Sequence, residues 1–100
     1  MELYRQGDVL LKRVEKTAGR LVGEGERVLA EGEVTGHRHV LTGATKFFEN
    51  GNGTVMVEVE EEGALLVHEE HHELQIPAGA YAVVLQREFT AAQAIQKVID

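Results

Sequence analysis

The residues best suited to chemistry in this 100-residue chain are five histidines, and all of them fall within two short windows. The first window covers residues 36–39 and the second covers residues 68–73. Imidazole is a common ligand of transition metals, and it also changes charge near neutral pH. The two windows therefore predict either a metal site or a pH-responsive surface.

The spacing of the first window fits a β-strand. Alternate residues of a strand share a face, so His37 and His39 would project to the same side. Two imidazoles in that arrangement can reach one metal ion. Such pairs also occur on strands without a metal, so ligation depends on a second source of ligands.

The second window supplies further ligands in either of two conformations. If the window is extended, His68, Glu70 and His72 share a face. If it closes a helical turn, His68, His71 and His72 lie together instead. The sequence leaves both conformations open, and each brings two more ligands to the site.

The predicted metal site combines the two windows, with His37, His39, His68 and His71 as ligands. Imidazole and carboxylate without thiolate favour Zn, Ni, Mn, Fe or Cu over Ca and Mg, which prefer oxygen ligands. If one position on the metal stays open, a bound water with Glu70 as general base would make a metal-dependent hydrolase or isomerase. If all four histidines bind, the site is closed and structural.

The distribution of charge favours an alternative function. The formal net charge is −7, and residues 51–100 carry all of the acidic excess. Residues 58–73 contain seven glutamates and no lysine or arginine, a composition that repels nucleic acid. The alternative is a non-enzymatic interaction or assembly module, in a phage particle or a bacterial complex, whose acidic, histidine-rich, pH-responsive face docks a basic protein partner.

The composition also excludes several kinds of chemistry. The chain has no cysteine and no serine, which rules out thiolate metal sites, cysteine nucleophiles and serine hydrolases. No apolar run approaches the roughly 18 residues of a membrane span, and the N-terminus lacks the apolar segment of a signal peptide. We expect a cytoplasmic protein with one domain, residues 1–100, and no membrane or nucleic-acid partner.

The elements that must position the histidines are predicted to be strands. Glycines separate short alternating segments, which is typical of an antiparallel barrel or two-sheet sandwich, here with six to eight short strands. Residues 50–53 (Asn-Gly-Asn-Gly) and 61–63 (Glu-Glu-Gly) predict turns, and Asp8 is expected to be a turn residue. Helical spacing of apolar residues predicts one C-terminal helix over residues 91–99. The exposed edges of such a sheet predict a homo-oligomer.

Four segments spread over nearly the whole chain carry a family resemblance. They read YRQGDVLL from residue 4, GEVTGHRH from residue 32, HEEH from residue 68 and QREF from residue 86. These segments look like the motifs of a family of small uncharacterised bacterial and phage-encoded proteins. The resemblance marks His37, His39, His68 and His71 as a family pattern, implies no reaction, and leaves His72 as a peculiarity of this chain.

A looser resemblance concerns the order of three features. A His-x-His pair, a glutamate at Glu49 and a Pro-x-Gly turn at residues 77–79 follow one another as in cupins. In cupins a further ligand histidine usually lies just after the Pro-x-Gly, and Tyr81 stands there in this chain. The extra histidines lie before the proline instead.

Overall fold

The computed structural model describes residues 2–32 and 36–86. This part of the chain forms eight strands, which confirms the predicted all-β class. They are β1 (Leu3–Gln6), β2 (Val9–Val14), β3 (Arg20–Glu24), β4 (Arg27–Glu31), β5 (Arg38–Glu49), β6 (Val55–Val67), β7 (Leu74–Ile76) and β8 (Gly79–Leu85). Within these ranges, no helical segment has the length and apolar character that a membrane span requires. The helix predicted over residues 91–99 lies outside the described residues.

The strands form one antiparallel sheet. Its order is β1-β2-β8-β6-β5-β3, with β4 also paired to β5 and β7 also paired to β6. Among the described residues the sheet does not close into a barrel, and β1 and β3 stand at the two ends of the order. The strand number agrees with the prediction, and the architecture is a single folded sheet.

The two longest strands, β5 and β6, change neighbours along their length. They contain 12 and 13 residues, so they are longer than the short strands predicted. The first half of β5 pairs with β4 and its second half pairs with β3. In the same way, the first half of β6 pairs with β8 and its second half pairs with β7.

A bulge lies where β5 and β6 change neighbours. The turn predicted at residues 61–63 is wrong, because these residues stay within β6. The register between the two strands shifts here: Gly43 pairs with Ala64, whereas Thr45 pairs with Val59. Extra residues in one strand bend it without ending it. The Glu-Glu-Gly sequence therefore marks a bend within a strand.

One hydrophobic core lies against the folded sheet. Its largest fully buried side chains are Tyr81, Phe47, Leu11, Leu41, Leu66, Ile76, Val9 and Val57. β5 contributes Leu41 from one half and Phe47 from the other to the same core cluster. Burying a side chain of this size stabilises a fold by about 1.5–3 kcal/mol. The shared core therefore holds both halves of the bent strands in place, including the strand ends that carry histidines.

Candidate metal centre

Three segments of the chain meet around His39, near the start of β5. They are the start of β5 itself, the β1–β2 turn, and the connection between β6 and β7. His39 points to the same face as Leu41, and both side chains are buried. A buried polar ring needs polar partners. The other two segments supply them.

His39, His68 and His71 form a histidine cluster. Each ring offers one nitrogen, and these three nitrogens lie within 4.8 Å of one another. The ring centroid of His68 is 4.2 Å from that of His39 and 4.6 Å from that of His71. His39 is buried, His68 is half-buried and His71 is exposed. The cluster therefore leads from the core to the surface, where a metal ion could enter.

The buried amide of Gln6 determines which nitrogen of His39 faces the cluster. Its Nε2 donates to the carbonyl oxygens of Leu66 at 3.0 Å and of His72 at 2.9 Å. With both amide hydrogens donated, Oε1 is the acceptor that lies 2.9 Å from Nδ1 of His39. A neutral His39 therefore carries its proton on Nδ1 and a lone pair on Nε2. Metal-ligating histidines almost always donate such an outer hydrogen bond.

His68 makes a hydrogen bond of the opposite kind. Its Nδ1 accepts the backbone N–H of Glu70 at 3.0 Å, so a neutral ring carries its proton on Nε2. A neutral imidazole has only one nitrogen with a lone pair in the ring plane. That lone pair can accept the hydrogen bond from the N–H of Glu70 or bind a metal ion, but not both. Metal binding by His68 therefore requires the hydrogen bond from Glu70 to open.

The β1–β2 turn lies directly against two of the three rings. Gly7 has a φ of 59°, in the left-handed region that favours glycine. A Cβ at this position would lie 3.0 Å from Nε2 of His71 and 3.1 Å from Cε1 of His39. Glycine is required here both for the backbone conformation and for space beside the cluster.

Asp8 lies in the same turn and reaches the cluster. The sequence predicted its role in the turn. In the structure the Asp8 side chain is partly exposed, and its Oδ1 also lies 3.5 Å from Nε2 of His39. The backbone carbonyl of Asp8 accepts the N–H of Gln86 at 2.9 Å. The turn is therefore joined to the end of β8 as well as to β5.

The second histidine window, residues 68–73, forms neither a strand nor a helix. It bends so that the rings of His68 and His71 approach His39, which resembles the helical-turn alternative for that pair. The side chain of His72 is exposed and stands outside the cluster. Neither predicted conformation describes the whole window.

Two long-range hydrogen bonds position this window. Oε1 of Glu69 accepts the backbone N–H of Arg38 at 3.0 Å, and the carbonyl of His72 accepts from Gln6. The hydrogen bond from Arg38 lowers the pKa of the Glu69 carboxyl below its ordinary value, and a smaller lowering comes from a hydrogen bond with the backbone N–H of Glu69 itself. The window is thus tied to the start of β5 on one side and to the end of β1 on the other.

The fourth predicted ligand, His37, lies beside the cluster. Its ring is 5.7 Å from the ring of His68 and nearly perpendicular to it. Its Nδ1 is 3.6 Å from Oε1 of Glu70, so the predicted general base faces His37. The structure brings together three of the four predicted ligands, and ligation by His37 stays a prediction.

Sequence reasoning assigned no role to Gln6, and it gave Asp8 only a role in the turn. Both residues belong to the Gln-Gly-Asp sequence at residues 6–8, which is part of one of the four segments that carry the family resemblance. That resemblance was the one indication in the sequence that the two residues could belong to the site. Nothing local shows that this turn contacts β5, because the contact depends on how distant strands pair. The structure adds both residues to the site.

A family model for a domain of unknown function, DUF8820, matches residues 5–86. The chain belongs to this family. The matched region contains both histidine windows together with Gln6 and Asp8. This membership agrees with the predicted resemblance to an uncharacterised family, while the family motifs and a phage or bacterial origin stay predictions. No curated protein and no solved structure matches the chain significantly.

The looser resemblance to cupins also stays a prediction. Glu49, the glutamate of that pattern, is the last residue of β5, whereas His39 is the second. Glu49 pairs with Val55 at the hairpin end of the strand. Glu49 is not among the residues of the histidine cluster, which are His39, His68 and His71.

Proposed function

We propose that this protein binds a divalent transition metal ion through His39, His68 and His71. The observation that carries the proposal is the convergence of three ring nitrogens within 4.8 Å around a buried histidine. The hydrogen bond from His39 to Gln6 supports it, because it directs the Nε2 lone pair toward the cluster. Three imidazoles are a common donor set for zinc, and Ni, Mn and Fe also suit this ligand type.

The surroundings of the cluster favour a cation. Three imidazoles are neutral ligands, so they leave the charge of a divalent ion uncompensated. Carboxylates stand close by at Asp8, at Glu69 and at Glu70. Their negative charge stabilises a bound cation. The local acidic excess predicted from the sequence is consistent with this role.

The proposal is tested by metal content and thermal stability. Untagged protein is incubated with Zn²⁺, Ni²⁺, Mn²⁺ or Fe²⁺, freed of excess metal, and measured by elemental mass spectrometry. We expect one ion per chain. A metal present at 100 times its dissociation constant should also stabilise the fold by about 2.7 kcal/mol, measured as a rise in melting temperature.

Histidine variants separate the cluster from general surface binding. His71→Ala should abolish retention of the ion, and His39→Ala should do the same. His72→Ala is the matched control, since His72 is an exposed histidine next to His71 and outside the cluster. Equal losses in the His71 and His72 variants, or no retained metal in the unmodified protein, would contradict the proposal.

A metal-dependent hydrolase or isomerase is the finer form of this proposal. It requires an open position on the ion and a general base, for which Glu70 is the candidate. In the structure its carboxylate lies beside His37, so it would have to turn toward the ion. Glu70→Gln should then lower the hydrolytic rate without lowering metal content, and an unchanged rate would remove Glu70 from the mechanism.

We also propose self-association through the ends of the sheet. β1 and β3 stand at those ends, and they carry the exposed side chains of Leu3, Leu21 and Val22. Edge strands with apolar side chains favour pairing with a second copy. Light scattering that reports a monomer at all protein concentrations would contradict this. Docking of a basic protein partner on the acidic face stays a prediction.

A further inference from the structure

We infer that Asp8 supplies the fourth ligand of the metal centre, so that one ion is held by three imidazole nitrogens and one carboxylate oxygen. The inference rests on the proposed binding by His39, His68 and His71. It turns an open three-histidine site into a closed four-coordinate site. It also adds the β1–β2 turn to the segments that the ion joins.

The distance between Asp8 and His39 is that of two ligands on one ion. Oδ1 of Asp8 lies 3.5 Å from Nε2 of His39. Zinc bonds of about 2.0–2.1 Å at tetrahedral angles place neighbouring ligand atoms about 3.3 Å apart. Asp8 is not one of the three residues whose ligand atoms lie within 4.8 Å of one another. The inference therefore requires an oxygen of Asp8 to move toward His68 and His71 when the ion binds.

The electron pairs at this contact allow a cation to bind between the two atoms. Gln6 holds the proton of a neutral His39 on Nδ1, so Nε2 presents a lone pair. The oxygen of Asp8 that faces it is also an electron-pair donor. A proton on Nε2 would turn this contact into an ion pair with Asp8. A metal ion placed between the two atoms would instead be bound by both His39 and Asp8.

Glu69 and Glu70 are the other two carboxylates near the cluster, and their geometry is less suitable. Oε1 of Glu69 already accepts the backbone N–H of Arg38 at 3.0 Å. Glu70 faces His37. Its Oε1 is 3.6 Å from Nδ1 of His37, which lies outside the group of three. Its side chain is 68% exposed, compared with 33% for Asp8. The backbone N–H of Glu70 also competes for His68. Asp8 is thus the best placed of the three carboxylates.

A carboxylate in the fourth position has two chemical consequences. It lowers the net charge of the centre from +2 to +1, which suits a partly buried site better. It also leaves no position for water on a four-coordinate ion. The centre would then hold the three segments together, and the hydrolase or isomerase form of the proposed function would be wrong. The harder oxygen ligand favours Zn²⁺ or another divalent ion over Cu⁺.

The test uses Co²⁺ as a spectroscopic substitute for Zn²⁺, with azide as a probe of open coordination positions. In the unmodified protein we expect the intense visible bands of four-coordinate Co²⁺ and no change on adding azide. Asp8→Asn should raise the Co²⁺ dissociation constant at least tenfold, and azide should then shift the bands. Glu73→Gln is the matched control, since Glu73 is an exposed carboxylate of the same window and outside the cluster, and it should behave like the unmodified protein.

Each outcome decides between the two proposals. Azide-sensitive bands in the unmodified protein, or an Asp8→Asn variant with an unchanged dissociation constant, would overturn the role of Asp8 while leaving metal binding intact. An unmodified protein that binds no Co²⁺ or Zn²⁺ would overturn metal binding and this inference together. If Asp8→Asn does not fold, the azide titration of the unmodified protein still decides.

Discussion

The two connections that flank β6 are held in opposite ways. The turn before it is built from local hydrogen bonds: Oδ1 of Asn50 accepts the backbone N–H of Asn52 at 3.2 Å and of Thr54 at 3.1 Å. The connection after it is held by residues 31 and 66 positions away, through Glu69 and Arg38 and through His72 and Gln6.

The difference separates a structural turn from a candidate functional loop. The Asn50 turn contains its own hydrogen-bond partners, so it can form as soon as β5 and β6 pair. Residues 68–73 take their shape only after β1 and β5 are in place. The shape of this loop is therefore sensitive to substitutions far away in the chain, whereas the shape of the Asn50 turn is not. His68 and His71 of the histidine cluster lie on residues 68–73, the connection that depends on distant partners.

The largest expected effect comes from removing the distant partner of that loop. Gln6→Met keeps the length of the side chain but removes its amide. The carbonyls of Leu66 and His72 then lose a hydrogen-bond donor, and Nδ1 of His39 loses its acceptor. Loss of these buried hydrogen bonds should cost about 2–4 kcal/mol of unfolding free energy. Metal affinity should fall about 10- to 100-fold, since the outer bond of a ligand is lost.

The control for this variant is the local turn. Asn50→Ala removes an acceptor at a half-buried site, and it should cost only about 0.5–1 kcal/mol with metal affinity unchanged. Urea unfolding and isothermal titration measure the two quantities. Equal losses of stability in the two variants would remove the contrast between the connections.

An intermediate effect is expected from a pair of glycine variants. Gly7 and Gly53 both have positive φ, 59° and 86°. Alanine at either position should therefore cost about 1–2 kcal/mol of backbone strain. Only at Gly7 would the new Cβ meet His71 and His39, since nothing lies within 4 Å of it at Gly53. Gly7→Ala should weaken metal binding and Gly53→Ala should not, as measured by titration with Zn²⁺. Equal affinities would show that the turn does not limit the space at the cluster.

The smallest expected effect is the opening of one hydrogen bond. Metal binding by His68 should release the backbone N–H of Glu70, whereas the N–H of Thr54, bonded to Asn50, should not change. A bond worth about 1 kcal/mol corresponds to about a fivefold faster amide exchange at Glu70. Nuclear magnetic resonance measures both amides in one sample. A Glu70 amide that exchanges equally fast with and without Zn²⁺ would contradict ligation by His68.

The local features of this fold could be predicted from the sequence. The Asn-Gly-Asn-Gly turn at residues 50–53 has side chains that satisfy their own neighbours, so its sequence is sufficient evidence. The all-β class follows from alternation between glycines. The clustering of histidines in two windows was enough to indicate His39, His68 and His71.

The remaining features depend on contacts that no short segment contains. Glu61-Glu62-Gly63 has the composition of a turn, but β6 continues through it, because Val59 before it and Ala64 after it both pair with β5. The choice among the histidines of the second window is made by bonds to Gln6 and Arg38, which are far away in the chain. The role of Asp8 likewise follows from the approach of the β1–β2 turn to β5.

The hydrogen bond from the N–H of Gln86 to the carbonyl of Asp8 has a mechanical consequence. The bond lies next to the pairing of Val9 with Leu85, so the β1–β2 turn and the end of β8 are joined at two adjacent points. A displacement of Asp8 would therefore be transmitted to β8. Conversely, an ion bound by Asp8 would stiffen the end of β8.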